Sequence, residues 1–167
     1  NYRFFTANGN DAGVSGVEAS ATYALTRDWS LYATVAQLES SLDRFTLING
    51  NEGGGRRLAN TPRYGYTVGT RYHHPAGWFT TAEWIGRASQ YDSNNQNEER
   101  RPFHVVNASF GYTWNRWTAS LWARNLLGEA YDKRVFFFGN EDPDYIETRY
   151  EDRADPRQVG ITARYQF

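Results

Sequence analysis

Seven stretches of this chain alternate apolar and polar side chains at a period of two, and the connections between them alternate strictly between short and long. A strand sends successive side chains to opposite faces, so each stretch has one apolar face and one polar face. The stretches are Val14 to Leu25, Trp29 to Val35, Arg63 to His73, the strand opened by Trp78, Val106 to Trp114, Trp117 to Ala123, and Arg157 to Phe167. Thr26 to Asp28, His74 to Gly77 and Asn115-Arg116 are the short connections; Ser40 to Asn60, Gln90 to Pro102 and Leu127 to Pro156 are the long ones. An antiparallel meander with short turns at one end and long loops at the other is the pattern of a transmembrane β-barrel. A soluble sandwich has no reason to sort its connections in this way.

The last stretch fixes the scale. Val159, Ile161, Ala163, Tyr165 and Phe167 fall on one face, and Gln158, Gly160, Thr162, Arg164 and Gln166 on the other. At about 3.3 Å per residue and a tilt near 45°, a strand of this length covers roughly 25 Å, the height of a barrel's apolar band. Charge obeys the same division. Arg63, Arg71, Arg87, Arg124, Arg164, Glu18 and Glu83 all lie on polar faces. A Lys or Arg facing mid-bilayer lipid costs about 2–4 kcal/mol, so these charges belong to the lumen. Five Arg against two Glu leave that inner face basic, suited to an anion or to acidic groups on whatever fills the lumen.

Composition is consistent with this and excludes other classes. The mean hydropathy of −0.76 and the lack of a long apolar run exclude a transmembrane helix, but not strands that show lipid half of their side chains. Aromatics form 17% of the chain, mostly Tyr and Trp, the residues that collect at membrane interfaces. No Cys is present, so neither a disulfide framework nor a thiolate metal site is encoded. A net charge of −1 gives no global field, and nucleic acid is not an expected partner. The chain starts at Asn1 and has no Met, which is read as a piece of a longer product; Asn1 to Ala12 reads as the end of an earlier strand and a loop.

Site motifs are mostly rejected. Gly53-Gly54-Gly55 is followed by Arg56-Arg57-Leu58 and not by a Lys-Ser/Thr pair, so it reads as a surface loop and not a phosphate cradle. His73 and His74 are adjacent and point apart on a strand, and His104 stands alone. Asp92 to Asn97 loosely resembles a calcium loop but lacks its Gly and its final Glu. Asn107-Ala108-Ser109 matches a glycosylation acceptor within a strand. No catalytic arrangement, metal site or cofactor site is expected. The segment Leu127 to Pro156 is more informative: nine acids face four bases, and Phe136, Phe137, Phe138, Tyr145 and Tyr150 read as an exposed aromatic cluster at a substrate entrance.

Several segments together resemble the C-terminal part of a TonB-dependent outer-membrane receptor. They are Gly16-Val17-Glu18-Ala19 with Trp29-Ser30-Leu31-Tyr32, Asn60-Thr61-Pro62-Arg63-Tyr64, Trp122 to Leu127 with Tyr131, and Asp155-Pro156-Arg157-Gln158-Val159-Gly160 through Phe167. The resemblance implies an all-β antiparallel transmembrane barrel of about 22 strands with a plugged lumen, of which residues 1–167 would be roughly the last third. It further implies an upstream plug domain and TonB contact outside this sequence, outer-membrane lipid around the wall in a Gram-negative bacterium, and Phe167 as the barrel assembly signal. The implied function is import of a scarce small molecule such as a ferric siderophore, with no enzymatic activity. Two alternatives stand beside it. One is a complete eight-stranded outer-membrane barrel of structural or adhesive role, with an extra strand near Tyr2 to Phe5. The other is a soluble β-sheet ligand-binding domain, whose apolar faces would meet across a core.

Overall fold

The computed structural model describes residues 11–46, 50, 52–139 and 142–167. In chain order its strands are β1 (Ala12–Ala24), β2 (Trp29–Leu42), β3 (Phe45–Thr46), β4 (Glu52–Gly53), β5 (Tyr64–His73), β6 (Trp78–Arg87), β7 (Gln90–Tyr91), β8 (Glu99–Arg100), β9 (Phe103–Trp114), β10 (Trp117–Arg124), β11 (Asp132–Gly139), β12 (Glu147–Arg153) and β13 (Gln158–Tyr165). Seven of them form one antiparallel sheet in the order β1-β2-β5-β6-β9-β10-β13, the meander expected from the alternation. β1 and β13 are its two ends and do not pair with each other. The eighth strand considered at Tyr2 to Phe5 lies outside the described residues.

Register carries each apolar face onto its neighbour. Ala21 pairs with Ala33, Ala33 with Val68, Val68 with Trp84, Trp84 with Val106; further along, Phe110 pairs with Leu121 and Leu121 with Ile161. This face is left open: Val17 is 74% exposed and Ile161 79%. The buried apolar side chains among the described residues are Leu42, Ala88, Val105 and Val135. The apolar faces therefore do not meet across a core, as a soluble sheet domain requires.

Rings border the apolar face at both ends. Beside the short turns, Trp29 lies 6.3 Å from Tyr72, Tyr72 5.2 Å from Trp78, Trp114 6.5 Å from Trp117, and Trp117 4.9 Å from Tyr165. Towards the long loops, Tyr66 lies 5.2 Å from Trp84 and 6.2 Å from His104. Two belts flanking an apolar band are the arrangement of a barrel wall, because an amphipathic ring is most stable where lipid meets water. The two neighbouring histidines take ring partners of their own, His73 against Phe79 at 5.9 Å and His74 stacked on Trp78 at 4.7 Å.

The short turns are closed by backbone bonds. Leu25 donates to the Trp29 carbonyl at 2.9 Å and His74 to the Trp78 carbonyl at 2.8 Å, and Asn115 takes a positive φ of 49° in the two-residue turn. The long connections differ from the expected loops. β2 runs on to Leu42, β9 starts at Phe103, and β5 starts at Tyr64, although the Arg63 carbonyl still accepts the Leu38 N–H at 2.8 Å and continues the ladder. Each long connection also contains a two-stranded ribbon: β3 with β4, β7 with β8, and β11 with β12. Leu127 to Pro156 is thus largely a hairpin, with Phe136 opposite Tyr150 and Phe138 opposite Thr148. The triple glycine is no loose loop either: Gly54, at φ 75°, packs so closely on the Asp43 carbonyl that a side chain has no room, and Gly55 donates to the Leu42 carbonyl at 2.7 Å.

On the polar face, large rings lie across glycines of the next strand: Tyr32 over Gly69, Phe79 over Gly111 and Trp122 over Gly160, each a direct cross-strand pair. The space over these three glycines is filled by their neighbours' rings. Gly69→Ala is expected to push Tyr32 off its seat and cost about 1–3 kcal/mol, the usual range for overpacking. Urea or heat unfolding of the intact barrel, compared with the open site Gly65→Ala, checks this; equal effects at both positions would refute it.

Candidate functional site

Side chains on the polar face build a network from strand to strand. Tyr32 Oη donates to Glu83 Oε2 at 3.2 Å, and Asn107 Nδ2 donates to Glu83 Oε1 at 2.9 Å. The Arg71 guanidinium lies 4.4 Å from the Tyr32 ring centre, and Arg124 lies 5.4 Å from Trp122. Trp122 Nε1 donates to Thr162 Oγ1 at 3.1 Å. Tyr32, Arg71, Glu83, Asn107, Arg124 and Thr162, drawn from β2 across to β13, line one cavity of about 460 Å³, so the sheet curves around its polar face. Of the charges assigned to the lumen, Arg71, Glu83 and Arg124 meet here; Glu18, Arg63 and Arg164 do not line this cavity.

At the long-connection end, arginines tie the three connections together. Arg56 donates to Asn97 Oδ1 at 3.0 Å, to the Ser93 carbonyl at 2.9 Å and to the Gln96 carbonyl, and lies 4.0 Å from the Tyr91 ring centre. Burial pushes this guanidinium below its ordinary pKa, opposed by Tyr91. Arg57 reaches Glu99 and the Ser89 carbonyl at 3.2 Å. The second connection is tied to the third by Arg100, which pairs with Asp92 at 3.0 Å and donates to the carbonyls of Asp132, at 2.9 Å, and Lys133. Arg149 of β12 reaches back to Glu98 at 3.1 Å, besides holding Asp132 and Glu151.

Two adjoining cavities open beneath this cap. One, about 330 Å³, is lined by Asn95, Gln96, Val135, Phe136, Phe137 and Glu147 among others; the second, about 420 Å³, brings Arg87 from the top of the wall together with Arg100, Lys133 and Arg134. Asn60, Asp92 and Arg134 line both, making them two ends of one cleft.

The aromatic cluster expected at the entrance is divided by strand alternation. Phe136 and Phe138 are exposed while Phe137 is partly covered, and Val135 beside them is buried. Phe136 stacks on Tyr150 at 5.5 Å. Phe136 and Phe137 line the cleft; Phe138, Tyr145 and Tyr150 do not. Tyr145 sits at a positive φ of 48° before β12. The residues that hold the cap, Arg56, Arg100 and Arg149, were not singled out from the sequence. Their only signal there was an arginine set among amides and acids.

The sequence matches the family described as TonB dependent receptor-like, beta-barrel, over residues 1–126. Among solved structures it is similar to the ferric yersiniabactin uptake receptor FyuA from Yersinia pestis, at 20% identity and a TM-score of 0.78 over 96% of this chain and 24% of that one. It is also similar to the copper transporter OprC, at 17% identity and a TM-score of 0.64 over 93% of this chain and 24% of that one. A third is the ferric-catecholate import receptor Fiu from E. coli K12 in its closed form, at 20% identity and a TM-score of 0.64 over 93% of this chain and 21% of that one. At such identities the likeness is one of fold, and the chain spans about a quarter of the length of these structures. The seven-stranded sheet with its sorted connections and the match over residues 1–126 lead to one assignment: the chain belongs to the TonB-dependent receptor β-barrel family.

Proposed function

We propose that this chain is the C-terminal part of the wall of an outer-membrane receptor in a Gram-negative bacterium, importing a ferric siderophore past a plug domain with energy from the TonB system. Members of the family are transporters and not enzymes. The observation that carries the reading is the cleft under the cap, where aromatic and cationic groups converge on the polar side of a sheet whose other face is apolar. The siderophore assignment draws on the uptake receptors for ferric yersiniabactin and ferric catecholates that share the fold. Plug and TonB contacts belong to the rest of such a receptor. Phe167, whose ring meets Tyr165 edge-on at 5.2 Å, keeps the role of assembly signal within this proposal.

The test is uptake of radioiron by cells that make the intact receptor and lack other iron receptors. Accumulation from a ferric siderophore that stops without TonB is expected; uptake that persists without TonB, or none from any ferric siderophore, refutes the reading. Phe137→Ala removes a ring from the cleft without touching the wall. It is expected to weaken ligand binding by roughly fivefold or more while the barrel still assembles, as read by fluorescence titration and heat-modifiable gel mobility. Unchanged binding would remove Phe137 from the site.

A further inference from the structure

We infer that the cleft between the wall and the β11–β12 ribbon recognises an anion, which places the imported chelate in the negatively charged class; this rests on the import reading above. By composition the third connection is acidic, nine acids to four bases, and would suggest a mouth that attracts cations. The fold separates those charges. Asp132 is held by Arg149 at 3.4 Å, Glu151 by Arg149 and by Arg153 at 3.3 Å, and Asp155 by Lys133 at 3.3 Å. Glu147, whose partner Gln96 is a neutral amide, lines the outer end of the cleft; Glu129 lines neither cavity, and Glu141 lies outside the described residues. Asp142, Asp144 and Asp152 are exposed and do not line the cleft.

The inner end of the cleft has the opposite character. Arg87, Arg100, Lys133 and Arg134 line it with Asp92 as their acid, and Asp92 is buried against Arg100. Arg87 and Arg134 form no ion pair among the described residues; their contacts are with rings, Phe103 and Phe136, each 5.9 Å away. Two guanidiniums without a carboxylate thus approach one cavity of about 420 Å³ from separate elements, the wall and the ribbon. A cleft lined mainly by one sign of charge attracts the other, and a guanidinium fork fits a carboxylate or an aryl oxide with two parallel hydrogen bonds. A neutral chelate would leave both charges uncompensated as it displaced their water. Gln90, buried and donating to Asn60 Oδ1 at 3.2 Å, adds neutral polar lining but no competing charge.

The experiment titrates the intact purified receptor with three probes: a trianionic ferric tris-catecholate, a neutral ferric tris-hydroxamate, and iron-free citrate. Tryptophan fluorescence is followed at low and high salt. The trianionic complex is expected to bind at least about tenfold more tightly than the neutral one, and to lose roughly tenfold for each of Arg87→Gln and Arg134→Gln. High salt should erode the preference. Arg116→Gln, the same charge change at a short turn, should alter nothing, and heat-modifiable mobility reports assembly of each variant. Equal or tighter binding of the neutral complex overturns the inference and leaves import standing. So does unchanged affinity in both Arg87→Gln and Arg134→Gln, the result expected if acids elsewhere in the receptor already occupy the arginines. If neither iron complex binds but citrate does, with the same dependence on both arginines, the anion site stands and the ferric reading falls. Failure of all three probes overturns the site.

Discussion

Arg100→Ala is expected to release the β11–β12 ribbon from the rest of the cap at a local cost of about 3–5 kcal/mol, the range for removing one partner of a buried ion pair. The Arg100 side chain is 9% exposed and the Asp92 side chain 6%, so truncation strands a carboxylate away from water. It also takes donors from the Asp132 and Lys133 carbonyls, the contacts that hold β11 over the second connection. The ribbon is not hydrogen-bonded to the main sheet, so such side-chain ties decide where it sits. Hydrogen exchange on the intact receptor should show lost protection across Asp132–Gly139 with the wall strands unchanged. Lys133→Ala is the contrast: that pair is 46% and 67% exposed and should contribute less than about 1 kcal/mol. Asp92→Asn combined with Arg100→Gln should recover part of the loss, because no unpaired charge is left behind. Ribbon protection unaffected by Arg100→Ala would show that something else positions it.

The wall was legible because its two faces meet different surroundings. Each position had to be apolar or polar, and a period of two survives even a stretch such as Tyr64 to Tyr72, where glycine, threonine and arginine share the inner face. Strand ends differ most at β2 and β9, where pairing continues past the apolar pattern to Leu42 and back to Phe103, while β5 starts one residue inside it. The ribbons were hidden for a related reason. A two-stranded piece outside the band has no face that must stay apolar, so Phe136, Phe137 and Phe138 in a row gave no alternation to read. The charge of the same segment decides nothing by itself, since a sum of acids and bases says nothing about which of them pair. Arg87 falls on the polar face by alternation alone, but its sharing of a cavity with Arg134 depends on how the ribbon folds back over the wall. The aromatic covers on Gly69, Gly111 and Gly160 needed register, which only the paired strands supply.

Asn125→Ala is expected to cost roughly 4 kcal/mol, from three lost side-chain hydrogen bonds and a backbone that alanine disfavours. Asn125 is buried, has a positive φ of 48°, and sits where β10 passes into the longest connection. Its Nδ2 donates to the carbonyls of Glu129, at 2.8 Å, and Asp155, at 3.2 Å, while its Oδ1 accepts the Glu129 N–H at 2.8 Å. One side chain therefore clasps both ends of the connection that carries the ribbon. Asn125→Gly tolerates the dihedral and loses only the side-chain bonds, so it should be milder than Ala by about 1 kcal/mol. The Asn125 N–H donates to Asn107 Oδ1 at 3.0 Å, and Asn107 in turn holds Glu83. Both substitutions keep that backbone donor and should leave the inner network intact, whereas Asn107→Ala should disturb the network and the base of the connection together. Proteolysis of the intact receptor separates the cases: Asn125→Ala should open residues 127–156 to cleavage while the barrel keeps its heat-modifiable mobility. Cleavage no faster than in the unaltered receptor would mean that the clasp is not what holds the ribbon's base.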